Sequence, residues 1–189
     1  MNLIFPGLPV PEPGENTMLK KFDDFINYFS TAVMMVTMIL ATLVAFINVV
    51  MRYCFNYSMT WAGELTSYLF IWSALFGAAY GFKIGMHIGV NAILQILKPR
   101  VAKIVLIITL VIIFIYLTAL MCWGYNFIVF NYEMEQVSVD LQLPFWIIYL
   151  CVPITMFIAD YQILLKLRKA ISTPSDNFSY EMIMKEDIV

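Results

Sequence analysis

Residues 104–123 read IVLIITLVIIFIYLTALMCW, and this run of 20 residues without a charge decides the fold class. An α-helix rises about 1.5 Å per residue, so 20 apolar residues cross the roughly 30 Å of hydrocarbon in a bilayer. Three further runs of similar length and character lie at 30–51, 61–82 and 145–165. All four runs together contain two formal charges, Glu64 and Asp160. The sequence therefore predicts an all-α integral membrane protein with four transmembrane helices.

The composition excludes several classes of protein. Hydrophobic residues make up 62% of the chain and charged residues 13%, whereas a soluble domain carries roughly 25% charged residues. The net charge of −2 gives no basic surface for nucleic acid. One histidine and three cysteines, with no Cys-x-x-Cys, argue against haem or a metal site, so we expect no cofactor in this chain. The sequence also has no nucleophile–base pair, phosphate loop or oxidoreductase fingerprint, so we do not expect an enzyme.

Lysine and arginine residues predict how the helices are oriented. Ten of the 11 lie before the first run, between the second and third runs, or after the fourth. Arg52, after the first run, is the exception. Because short loops rich in these residues stay in the cytoplasm, we expect both termini and the middle loop to be cytoplasmic. The other two loops then face the outer side.

The remaining segments differ in character from the four runs. Residues 1–17 contain four prolines, which predicts a disordered tail. Residues 18–29 have one apolar and one charged face, typical of an amphipathic helix in the headgroup plane, although a simple extension of the first span is the alternative. A second interfacial helix is expected before Pro99, and uncharged sequence could extend the third helix to residue 132. The predicted units are thus the tail at 1–17, the interfacial helix at 18–29, the membrane domain at 30–169 and a polar cytoplasmic tail at 170–189.

Glu64 is the first candidate functional residue. It lies just inside the outer end of the second span, and the short hairpin places it near Arg52, so we expect a structural ion pair. It also follows Thr60, a suitable N-cap, in the first helical turn, where the helix dipole favours an anion. An ionisable group at membrane depth can also serve function. Contact with a partner subunit and a proton or cation site therefore remain as alternatives.

Three other polar residues receive structural interpretations. Asp160 is expected near the cytoplasmic edge of the fourth span, within reach of Lys166 or of a basic residue of the middle loop. His87, at the same edge, is expected to be a hydrogen-bonding anchor, with titration near neutral pH as the alternative. Asn48, near the outer end of the first span, is expected to hydrogen-bond across a helix interface.

The second span and the loop after it carry a stripe of small residues. Its glycines recur every four residues, at Gly77, Gly81, Gly85 and Gly89. Such a stripe allows another helix backbone to approach closely. Whether that helix belongs to this chain or to another is left open by the pattern.

Features of a transport path are missing from the sequence. A carrier generally needs broken helices, internal repeats and several polar groups at the membrane midplane. Here Pro153 alone interrupts a span, and no inverted repeat is evident. The residues therefore favour an accessory or scaffold subunit of a membrane complex. The alternative is a self-contained oligomeric exporter of small molecules that couples transport to protons through Glu64.

Five short motifs lie in the first half of the chain: Asn48-Val-Val-Met-Arg-Tyr-Cys-Phe-Asn56, Trp61-Ala-Gly-Glu64, Tyr68-Leu-Phe-Ile-Trp72, Gly77-Ala-Ala and His87-Ile-Gly-Val90. Together they resemble one known family, the DctQ-like small membrane subunits of tripartite ATP-independent periplasmic (TRAP) transporters. The four-span plan extends the similarity over most of residues 18–169. Gly63 stands where many members carry a second acid beside the glutamate.

The resemblance implies a bacterial inner-membrane complex with a large membrane subunit and a periplasmic substrate-binding protein. It implies symport of an organic acid, such as a C4-dicarboxylate or sialic acid, driven by a sodium gradient, with sodium bound by the large subunit. The small subunit would brace the large one within membrane lipid. Arg52, Trp61 and Glu64 would then shape the outer corner near the docking face. Trp72 and the glycine stripe would support helix packing or the partner interface.

Overall fold

The computed structural model describes residues 17–84, 97 and 99–172, with side chains from residue 23 onward. These residues form five α-helices: α1 (Thr17–Cys54), α2 (Thr60–Ile84), α3 (Pro99–Glu133), α4 (Phe145–Tyr149) and α5 (Cys151–Ser172). We call the end of the bundle with the α1–α2 turn and the α3–α4 loop the outer end, and the opposite end the inner end.

Among the described residues, four helical segments are long and apolar enough to cross a membrane: α1, α2, α3 and the α4–α5 pair. This confirms the predicted all-α fold with four membrane-spanning segments. The helix α1 is continuous over 38 residues, so residues 18–29 lead into the first span without a turn. The helix α3 continues past Trp123 over 35 residues, about 52 Å, and must tilt or project beyond the bilayer. The second predicted interfacial helix falls almost wholly outside the described residues.

The helices pack in a row, with α1 on α2, α2 on α5, and α5 on α3. The most apolar stretch of the α4–α5 segment is half buried within the chain, whereas that of α1 is 6% buried. Core side chains come mainly from α2, α3 and α5, among them Phe76, Leu106, Leu110 and Ile163. The row therefore has a protein core around α5 and leaves broad apolar faces on α1 and α3 for other contacts.

The fourth span breaks at Leu150, between α4 and α5. Pro153 accounts for the position, because proline lacks an N–H and its ring clashes with the carbonyl four residues earlier, that of Tyr149. The indole Nε1 of Trp72 donates a hydrogen bond of 2.9 Å to the Ile148 carbonyl beside the break. Since the neighbouring helix supplies this donor, the break is fixed in place by α2.

Polar side chains join three helices at the inner end. The amide Nε2 of Gln162 donates to Asp23 at 2.9 Å and to Asn27 at 3.1 Å, and Gln162 is 3% exposed. Lys83 lies 3.8 Å from the second oxygen of Asp23. The network connects α1, α2 and α5, so the start of α1 is fixed to the bundle by more than apolar packing.

Candidate functional site

The Glu64 carboxylate is the centre of the best-organised polar site in the described residues. Three consecutive backbone N–H groups donate to it, from Val139 at 3.2 Å, Asp140 at 3.0 Å and Leu141 at 2.9 Å. The Tyr68 hydroxyl, one helical turn after Glu64, donates a fourth hydrogen bond of 2.8 Å. Successive N–H groups arranged in this way form an anion-binding nest. The side chain therefore clamps the start of α2 to the α3–α4 connection.

The donors belong to the outer loop, residues 134–144, which is closed on itself. The Ser138 N–H donates to the Leu143 carbonyl at 2.9 Å, and the Ser138 hydroxyl accepts from the Leu143 N–H at 3.2 Å. At its base, the Phe145 N–H donates to the Gln136 carbonyl at 3.0 Å. Positive φ angles occur at two non-glycine residues of the loop, Glu135 (48°) and Gln142 (55°). The loop thus has a defined backbone whose tip N–H groups are directed at Glu64.

The predicted ion pair between Arg52 and Glu64 is wrong. Among the described residues, Arg52 forms no ion pair with Glu64, and Lys83 pairs with Asp23 at the other end of the bundle. The physical reason is that the outer loop, 75 to 77 residues further along the chain, already supplies donors to both carboxylate oxygens. Arg52 is exposed at the end of α1, and Trp61 is 41% exposed at the start of α2. Both residues lie at the outer end with Glu64 without bonding to it.

Asn48 also has a partner other than the predicted one. Its side-chain oxygen accepts a hydrogen bond of 3.3 Å from the Met59 N–H, in the turn between α1 and α2. Asn56 in the same turn has a φ of 50°. Asn48 therefore fixes the turn rather than bridging two helix surfaces.

Asp160 lies further from the inner end of the fourth helical segment than expected. Because α5 continues to Ser172, Asp160 lies twelve residues, about 18 Å, before its end. The residue is 7% exposed, and its Oδ2 accepts a hydrogen bond of 2.9 Å from the Thr118 hydroxyl of α3. Lys166, the expected partner, instead donates to the Lys83 carbonyl. Asp160 thus contributes to the α3–α5 contact in the middle of the bundle.

Within the glycine stripe, Gly77 packs against another helix of this chain. A Cβ on Gly77 would lie 3.1 Å from the Met34 sulfur of α1. Beside it, the Ser73 hydroxyl donates a hydrogen bond of 3.0 Å to the Met34 carbonyl. Gly77 therefore permits the close approach of α1 and α2. Of the other predicted residues, Gly81 is half-buried on α2, whereas Gly85, His87 and Gly89 lie outside the described residues.

Sequence reasoning missed the outer loop as the partner of Glu64. Its contribution comes from backbone N–H groups, which every residue except proline carries, so residues 139–141 have no side-chain signature. Tyr68, four residues after Glu64, was a detectable signal because residues at that spacing share a helix face. Among the described residues, no group of three or more His, Cys, Asp or Glu could hold a metal ion. The geometry is that of a structural clamp.

Comparisons with known proteins give a consistent result. Residues 41–173 match the family model described as "Tripartite ATP-independent periplasmic transporters, DctQ component". The C4-dicarboxylate TRAP transporter small permease protein DctQ of Rhodobacter capsulatus is 30% identical over 96 residues, 51% of this chain. The protein of the same name from Vibrio cholerae is 39% identical over 84 residues, 44% of this chain. A putative TRAP transporter small permease protein of Haemophilus influenzae is 32% identical over 82 residues, 43% of this chain. The matched regions span 42%, 35% and 51% of these relatives, respectively.

Proposed function

Because the chain belongs to the family of DctQ components of TRAP transporters, we propose that it is the small membrane subunit that braces a large membrane subunit of such a transporter. In this proposal, the chain lies in the bacterial inner membrane with both termini in the cytoplasm. The large subunit binds sodium and substrate, and a periplasmic binding protein delivers an organic acid such as a C4-dicarboxylate or sialic acid.

The proposal rests on the hydrogen bonds that the acidic side chains of the bundle form within this chain. Glu64 is hydrogen-bonded to the outer loop, Asp160 to Thr118, and Asp23 to Gln162. Each contact joins elements of this chain, whereas a transport path needs polar groups available to a solute. This pattern supports a stationary frame, and it does not favour the proton-coupled exporter that would use Glu64.

The lateral faces of the row provide room for a partner. The most apolar stretch of α1 is 6% buried within the chain, and that of α3 is 17% buried. Large side chains remain exposed along both helices, for example Ile39 and Phe46 on α1 and Ile112 and Ile115 on α3. Helices in lipid associate through packing of such faces rather than through a hydrophobic driving force. We propose that one of these faces contacts the large subunit and the other contacts lipid.

The outer loop supports a role in docking the binding protein. The Glu64 clamp holds the loop backbone, and Val139 at its tip is 82% exposed. Arg52 and Trp61 are exposed at the same end. A loop whose backbone is already fixed loses less conformational entropy when it binds a partner. The clamp would thus hold part of the docking face in its binding conformation.

Reconstitution of the three components with variants at two adjacent positions tests this function. Glu64→Gln removes the charge from the clamp, and Gly63→Ala is the matched control because a Cβ there meets nothing within 4 Å. We expect Glu64→Gln to lower complex yield or binding-protein-dependent uptake while the sodium dependence of uptake stays unchanged. Normal complex yield with an altered sodium stoichiometry would contradict the bracing role.

A further inference from the structure

One stripe on α5 stays open although the helix is the most enclosed of the bundle. Phe157, Leu164 and Ile171 recur every seven residues and are 59%, 51% and 59% exposed. About 100° further around the helix, Ile163 and Ala170 are fully buried. From Phe157 to Ile171 the stripe extends about 21 Å along the axis, whereas one leaflet contributes roughly 15 Å of hydrocarbon. It is long enough for an acyl chain to lie along it from the headgroup level to the bilayer centre.

The inner half of this stripe forms a shallow apolar depression with one cation at its rim. Leu164, Leu167, Arg168, Ile171 and Ser172 line the depression. Arg168 is exposed, and the described part of the chain offers it no ion-pair partner. Arginine can keep its stem on apolar surface while its guanidinium reaches the interface.

Among the described residues, the charges around the depression are positive. Lys169 follows Arg168 on α5, and Lys103 of α3 donates from Nζ to the Ile171 carbonyl at 3.3 Å. The first two turns of α3 and the last two turns of α5 contain no Asp or Glu. The nearest acid on α5 is Asp160, eight residues or about 12 Å before Arg168, and it is buried against Thr118. The depression therefore combines apolar walls with a net positive rim.

We infer that this depression binds an anionic phospholipid, with the phosphate on Arg168 and an acyl chain along Leu164 towards Phe157. A guanidinium forms paired hydrogen bonds with phosphate oxygens, which suits a headgroup at the membrane surface. Anionic lipids give the cytoplasmic surface of a membrane a negative potential that attracts basic residues close to it. The placement in that leaflet rests on the orientation proposed above, whereas the binding itself depends on the chain alone.

Native mass spectrometry of the purified full chain tests the site without any partner subunit. The chain is released from mixed micelles that contain phosphatidylglycerol or phosphatidylcholine, and the bound lipid is counted. We expect the wild type to retain phosphatidylglycerol preferentially, and Arg168→Gln to lower that retention about fivefold, equivalent to about 1 kcal/mol for one cation at an anionic surface. The control is Arg52→Gln, which changes an exposed arginine at the opposite end and should retain lipid as the wild type does.

Two further measurements make the assignment falsifiable. Leu164→Asn should weaken retention of both lipids while the preference for phosphatidylglycerol remains, because it changes the acyl-chain wall and not the cation. The unfolding midpoint of lipid-free Arg168→Gln should equal that of the wild type, which excludes misfolding as the cause of lipid loss. Equal phosphatidylglycerol retention by Arg168→Gln and wild type would overturn the inference. Loss of the lipid when the large subunit binds would also overturn it, because the depression would then be a protein interface.

Discussion

Gly124 is the position at which the packing of α3 against α5 can be tested most sharply. A Cβ at this residue would lie 2.9 Å from Cγ1 of Val152 and 3.6 Å from Cδ of Pro153. Optimal contacts between carbon atoms are about 3.5–4.0 Å, so Gly124→Ala forces α3 and α5 apart at the break. Valine is stiff at χ1 and the proline ring is rigid, so neither side chain can turn away.

The expected effect of Gly124→Ala is the balance of two opposing contributions. Overpacking of a filled contact typically costs about 1–3 kcal/mol. Replacing a helical glycine with alanine stabilises the helix by up to about 1 kcal/mol. We therefore expect Gly124→Ala to be destabilised by about 1 kcal/mol in the free energy of unfolding. Gly63→Ala gains the same helix propensity without a clash, so it should be neutral or slightly stabilised.

Reversible unfolding of the purified chain in mixtures of mild detergent and sodium dodecyl sulfate measures both variants. A double variant adds the decisive comparison, because Val152→Ala removes the atom that the new methyl group meets. Gly124→Ala should then destabilise the Val152→Ala background less than the wild type, which is a positive coupling in a double-mutant cycle. If Gly124→Ala were as stable as Gly63→Ala, the close approach of α3 and α5 at this point would be refuted.

Three other contacts lead to direct predictions. Glu64→Gln should speed hydrogen exchange of the outer-loop N–H groups that donate to the Glu64 carboxylate, and leave the exchange of the core helices unchanged. Unchanged exchange in the loop would refute the clamp. Trp72→Phe should lower the free energy of unfolding by about 1 kcal/mol, because the Ile148 carbonyl loses its indole donor; wild-type stability would show that another donor satisfies it. Thr118→Val should destabilise the chain by about 0.6 kcal/mol and at most about 1.7 kcal/mol, the average and the maximum for side-chain hydrogen bonds between membrane helices. The effect should be smaller in an Asp160→Asn background; identical effects in both backgrounds would show that these side chains do not interact.

The membrane-spanning helices were predictable because the bilayer imposes a simple requirement on sequence. A run such as residues 104–123 has one stable arrangement in lipid, since a helix satisfies its own backbone groups. The ends of the helices were less predictable. Lys166 and Arg168 end the apolar run but not α5, so Asp160 lies further from the end of its helix than the apolar run predicted. Hydropathy marks where apolar residues stop, and a helix continues as long as its backbone hydrogen bonds do.

The partner of Glu64 was beyond sequence reasoning for a different physical reason. Arg52 was the nearest cation along the chain, and pairing opposite charges is the natural expectation. The structure instead satisfies the carboxylate with N–H groups that lie 75 to 77 residues away. Their position depends on the path of the outer loop, which is set by its own backbone hydrogen bonds and by the two residues with positive φ. Such a site becomes visible only when the loop is placed in space.

The bracing role is tested most directly by the transport activity of this chain on its own. Proteoliposomes containing the purified chain would be given a sodium gradient, a proton gradient or both, together with a labelled C4-dicarboxylate or sialic acid. We expect no gradient-driven uptake in any of these conditions, and uptake only when the large subunit and the binding protein are added. Sustained uptake by the chain without any other protein would contradict the proposal that it is a frame for a partner and not a carrier.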